Sequence, residues 1–203
     1  MLATNNMTIS LGASVTIPVT QDVTVIVPKE LKPAAGNITV SLGKPITVPV
    51  LVPVEHKSTP TCINDPFMVD GECYKVTAMS FGNPHGAVFV DDVDSVDVQK
   101  LGSALGTHVL FPKGASIVFI QVLDKENIKV RLWQKGQPET DFTPEAACVA
   151  GTAAMMCQKI LLNRTNVSFG GNTFIVNWDR GNSEVTLTGS ENLLSVEGSC
   201  ANR

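Results

Sequence analysis

The chain has 203 residues, 43% of them hydrophobic, and a formal net charge of −4, enough for one large domain or two small ones with a real core. Lys and Arg are scattered rather than gathered into a basic patch, which argues against contact with nucleic acid. No apolar run approaches the length that spans a bilayer, so no membrane role is expected, and MLATNNMTISL lacks the basic start and apolar stretch of a secretory leader. Five cysteines, at 62, 73, 148, 157 and 200, are odd in number and fall in no zinc spacing, so the reading is free thiols in an intracellular, reducing compartment, the cytoplasm or an organelle matrix. The sequons at Asn6, Asn37, Asn163 and Asn166 then carry little weight.

Residues 1–55 are rich in Val, Ile and Thr, broken by Gly and Pro, and show no helical period, which predicts strands. Within them Met7–Val19 (MTISLGASVTIPV) and Ile38–Val50 (ITVSLGKPITVPV) agree at seven of 13 positions at an offset of 31. Either two strand-turn-strand units share a composition, or one unit is duplicated and packs on its copy. Lys57–Gly71 is polar and turn-rich and reads as a loop near a boundary. Tyr74–Ser80 and Ala87–Val90 read as strands around a turn at Phe81–His85, and Ser95–Leu105 as a short amphipathic helix. Strands are further expected at Ile117–Val122, Ile128–Trp133, Val167–Phe169, Phe174–Trp178 and Val185–Thr188.

Between the last two groups lies the most apolar helix the sequence can make, expected over 144–162. Almost every side chain in it is apolar, so protein must enclose it on all sides. Its start is well marked. Thr143 can accept from a free backbone N–H as N-cap, Pro144 sits where a missing donor costs nothing, and Glu145 complements the positive end of the helix dipole. A helix start of this kind can also hold a carboxylate or lower a thiol pKa, but a threonine hydroxyl is not ionised at neutral pH. The residues therefore favour a structural cap over a catalytic threonine. Gly151 is read as a point of close strand approach, with the sheet wrapped around the helix.

Several segments resemble the diaminopimelate epimerase family. SFGNPHGAVFVDD (80–92) looks like its GNPH segment and following strand, LGSALGTHVLFPKG (101–114) like its helix, His and Phe-Pro, QKGQPET (134–140) like its ERG-x-G-E-T, and GGNTFIVNWDRGNSEVTLTG (170–189) like its GG…W…TG ending. The likeness runs over roughly 38–197. It implies an α+β fold of two lobes, each a barrel-like mixed sheet around a central apolar helix. It also implies chemistry without a cofactor or metal, in which two cysteines at the helix starts act on opposite faces of an amino acid α-carbon, one as thiolate base and one as thiol acid.

Carried over position by position, that site is degraded. Thr143 stands at the catalytic cysteine position, and Pro144-Glu145 replace the Gly-Thr that cradles the substrate carboxylate. Gln134-Lys135 replace the Glu-Arg pair, and Ser116 stands for a substrate-binding Asn. Asn83, His85 and Glu139 match, while Cys148 aligns with a cysteine inside the helix and reads as core. No segment before Ile38 matches the family's other helix start, and no Cys precedes Cys62. The expected organisation is a shortened β-rich N-terminal lobe over 1–78, an epimerase-like lobe over 79–195 and a tail over 196–203. The functional expectation is a family member that has lost catalysis and serves as a structural or interaction subunit of a larger assembly, with a protein partner or a second copy contacting it through the free strand edges of the β-rich N-terminal segment and through the old cleft around Phe81, Phe142 and the start of the 144–162 helix. An isomerase or dehydratase with a rearranged site, and a small-molecule-binding module using Asn83, His85 and Glu139, are the alternatives.

Overall fold

A computed structural model describes residues 10–11, 13–14, 36–55, 60–134, 137 and 142–194. The chain divides into two compact units, 1–32 and 33–203. In the first, β1 (Ser10–Leu11) pairs antiparallel with β2 (Ala13–Ser14); most of the Met7–Val19 repeat lies outside the described residues.

The second unit contains β3 (Asn37–Gly43), β4 (Asp65–Val69), β5 (Glu72–Ser80), β6 (Pro84–Phe89), β7 (Ser116–Val122), β8 (Asn127–Trp133), β9 (Arg164–Phe169), β10 (Asn172–Trp178) and β11 (Val185–Ser190). Among the described residues these nine strands form one sheet in the order β3-β11-β10-β9-β8-β7-β6-β5-β4, with parallel pairs at β6–β7 and β8–β9. The helices are α1 (Val98–Gly106), α2 (Pro144–Met156) and a single turn, α3 (Glu191–Leu194).

The sheet curls around α2, whose residues from Ala146 to Met155 are all buried. Alternation along each strand then sorts side chains between two cores. Met79, Ala87, Val118, Ile120, Val130 and Leu187 face α2, whereas Val76, Val88, Ile117, Phe119 and Trp133 face outward onto α1. Gly151 lets the sheet approach closely, since a Cβ there would lie 2.7 Å from Val176. Beyond β3 the chain crosses to β5, where Ile46 and Ser80 exchange both backbone hydrogen bonds at 2.9 Å and tie the two margins of the sheet together.

The structure departs from the sequence reading in three places. Residue 78, the expected lobe boundary, lies within β5, and 37–78 supply three strands of the common sheet rather than a separate lobe. The segment read as a loop contains β4, joined to β5 by a two-residue turn in which Asp70 and Gly71 both have positive φ (52° and 85°), the geometry that suits a tight hairpin. The central helix stops at Met156, not Leu162. Gln158 turns left-handed (φ 57°), and Gln158 and Lys159 donate to the carbonyls of Met155 and Ala154, a pair of bonds that closes a helix C-terminus.

Candidate functional site

Four strand and helix ends converge at the start of α2. Parallel pairing sets His85 of β6 opposite Ser116 of β7, and antiparallel pairing sets Ile117 opposite Trp133, so Gln134 follows beside Ser116. A cavity of about 250 Å³ opens there, lined by Asn83, Pro84, His85, Lys113, Gly114, Ala115, Ser116, Gln134, Gln137 and Glu145. Asn83, His85, Ser116, Gln134 and Glu145, each expected from the sequence, are thus brought together. Lys135 and Glu139 lie outside the described residues. Lys113 and Gln137 were not singled out; the Phe-Pro-Lys-Gly turn just before Ser116 could have pointed to Lys113.

His85 is 2% exposed, and its Nδ1–H donates to the Asn83 carbonyl at 2.8 Å. A carbonyl can only accept, so this bond fixes the neutral tautomer and leaves Nε2 as an acceptor. Burial lowers the imidazole pKa below its ordinary value; the Asn83 carbonyl and nearby Glu145 offset part of that shift.

The opposite wall is the helix start. Thr143 is extended (φ −140°, ψ 143°) and its hydroxyl accepts from the Ala146 N–H at 3.2 Å, so it caps the helix as expected. Phe142 stacks on Phe174 with centroids 4.0 Å apart and meets Phe169 edge-on, which anchors the chain as it enters the helix. Phe81 and Phe142 are both half-buried against the core around α2. The exposed large apolar side chains among the described residues lie elsewhere, at Val48, Val50, Leu51, Val109 and Leu161 among others. That corrects the expectation of an uncovered apolar cleft.

Cys62, Cys73, Cys148 and Cys157 are free thiols, and among the described residues none lines the cavity. Cys148 is fully enclosed within α2, and burial, with Glu145, pushes its pKa up. Cys62 is buried and its pKa is pushed up to about 12 by burial and by Asp65. Cys157 lies beyond the far end of the helix, beside Thr77 Oγ1 and Asn64 Oδ1 at 3.3 and 3.5 Å. Among the described residues no group of three or more His, Cys, Asp or Glu side chains could hold a metal ion, and no helix is long and apolar enough to cross a membrane.

The fold is that of known amino acid isomerases. A probable proline racemase from Agrobacterium radiobacter covers 76% of this chain and 51% of its own length at 12% identity with a TM-score of 0.53, and a hydroxyproline epimerase from Agrobacterium vitis gives 76%, 50%, 11% and 0.50. The family is more specific: the diaminopimelate epimerase model matches residues 77–199, and the chain belongs to that family. The diaminopimelate epimerase of Desulforapulum autotrophicum is 34% identical over 131 residues, 63% of this chain and 44% of that protein. That of Oceanobacillus iheyensis is 30% identical over 146 residues, 71% and 51%. The chain spans about half the length of these relatives.

Proposed function

We propose that this chain is a member of the diaminopimelate epimerase family that no longer inverts amino acid stereocentres and serves as a structural or interaction subunit. The observation that carries this reading is the start of α2. The hydroxyl at the position of the catalytic thiol is engaged in capping the helix, and Pro144-Glu145 put a missing donor and a negative charge where a substrate carboxylate would bind. Inverting a stereocentre requires one group to remove a proton from one face and another to return one to the opposite face. His85 and Glu145 give the cavity potential bases, but no thiol among the described residues borders it. Loss of a single preorganised donor in an active site costs about 10²–10³ in rate, and several groups differ here at once.

A second reading is favoured by the buried acceptor Nε2 of His85 together with Ser116, Gln134 and Glu145: retention of a small polar ligand without turnover. Incubation of the protein with each stereoisomer of diaminopimelate, followed by chiral chromatography, tests the main reading. The starting isomer should persist unchanged. Accumulation of a second isomer above the protein-free control would refute it.

A further inference from the structure

The cavity at the start of α2 is lined to accept hydrogen bonds rather than to give them. A helix N-terminus ordinarily attracts anions through its unpaired N–H groups. Here those groups are engaged or missing. Pro144 has none, the Ala146 N–H donates to Thr143 Oγ1, and the Ala147 N–H donates to the Thr143 carbonyl. That leaves the Glu145 N–H, and the carboxylate on the same residue repels any anion that approaches it.

His85 supplies an acceptor on the other wall. Its ring is 2% exposed, its Nδ1–H is committed to the Asn83 carbonyl, and among the described residues no donor reaches Nε2. The ring lines the cavity, so a buried lone pair is presented to whatever enters. Buried acceptors in folded proteins are nearly always satisfied. Glu145, half-buried on the facing wall, is close enough to act on the imidazole electrostatically. Lys113, the other charged side chain among the described lining residues, is exposed, and an ammonium on a long stem keeps its charge in water. His85 and Glu145 are too few to hold a metal, since among the described residues no group of three or more such side chains forms. The volume of about 250 Å³ lies below the roughly 300–1,000 Å³ of pockets for drug-sized ligands, so a fitting occupant is small.

We propose that this cavity binds a small organic ammonium ion with no carboxylate beside its nitrogen, the N–H groups donating to His85 Nε2 and to the Glu145 carboxylate. This rests on the second reading above, retention of a small polar ligand, and gives that ligand its charge. An ammonium has three donors and no acceptor, which matches a neutral imidazole, a carboxylate and the Ser116 hydroxyl. An amino acid brings the same ammonium together with an α-carboxylate, and the closed helix start meets that carboxylate with the like charge of Glu145. The cavity therefore prefers an amine to the amino acid of the same side chain.

Three probes separate the charges: n-butylammonium, norvaline, which is the same amine with an α-carboxylate, and butyrate. Each is titrated into the full chain and followed in long-range proton–nitrogen spectra of the imidazoles. Butylammonium should bind about tenfold or more tightly than either of the others and should move the His85 Nε2 resonance. Glu145→Gln should weaken butylammonium on the order of tenfold while the circular dichroism spectrum stays unchanged. Norvaline or butyrate binding as tightly as butylammonium, a His85 Nε2 resonance unmoved at saturation, or full affinity in Glu145→Gln would overturn the proposal and leave ligand retention standing. No binding of any probe would overturn both. None of these outcomes bears on the loss of catalysis, which the chiral assay reads separately.

Discussion

The cavity has two walls of different character. One, Asn83 to His85, keeps a motif whose side chains and backbone hold each other in place: a buried imidazole bonded to the carbonyl two residues before it. The other, Thr143 to Glu145, is a helix start held by a cap, a proline and a favourable carboxylate. On the function proposed above, this wall keeps backbone geometry of the kind an enzyme uses while the groups that would react there are changed.

The largest disturbance should come from the anchor of the helix-start wall. Phe174 is fully buried and stacked on Phe142, so Phe174→Ala should cost about 3–5 kcal/mol by urea denaturation and shift the Phe142 environment before the rest melts. A smaller value would mean that the helix start is held mainly from α2 itself. Gly151→Ala should cost about 1–3 kcal/mol, against the gain of up to about 1 kcal/mol that alanine gives an unconstrained helix. The sign alone tests whether the contact with Val176 is as close as 2.7 Å. Thr143→Ala should cost about 0.5–2 kcal/mol and Thr143→Ser almost nothing; equal losses would show that the methyl group, not the hydroxyl, matters.

The smallest effect is on the other wall and depends on pH. His85 has a folded pKa below its unfolded value, so the unfolded chain takes up a proton first as pH falls. The stability that its neutral form supports is complete above about 6.5 and declines as pH drops from there toward the folded pKa. His85→Gln should flatten this part of the stability–pH curve.

These two walls were not equally legible in the sequence. The helix start could be read because cap, proline and acidic residue act locally, and Thr143 sits where that reading put it. The convergence of His85 with Ser116 and Gln134 depends on strand register, which local patterns do not fix, and only the family likeness pointed to it. β4 was hidden by polar composition around Pro66, although Asp70-Gly71 between two apolar runs was an available hairpin signal. The helix end was overrun because Gln158 adopts a left-handed conformation usually signalled by glycine, while Ile160, Leu161 and Leu162 continue the apolar run past it. Separate lobes were expected from the family likeness, but hydrogen bonding joins β3 to β11 across most of the sequence, and β5 runs through the expected boundary to pair with β6.

Deuterium incorporation at the α-carbon of diaminopimelate in heavy water, with wild type and Thr143→Ala side by side, tests the central claim most directly because it detects proton removal even without net inversion. The account predicts incorporation at the buffer rate for both proteins, with Thr143→Ala differing only in stability. Wild-type exchange well above buffer that disappears in Thr143→Ala would make the capping threonine a catalytic group and contradict the account.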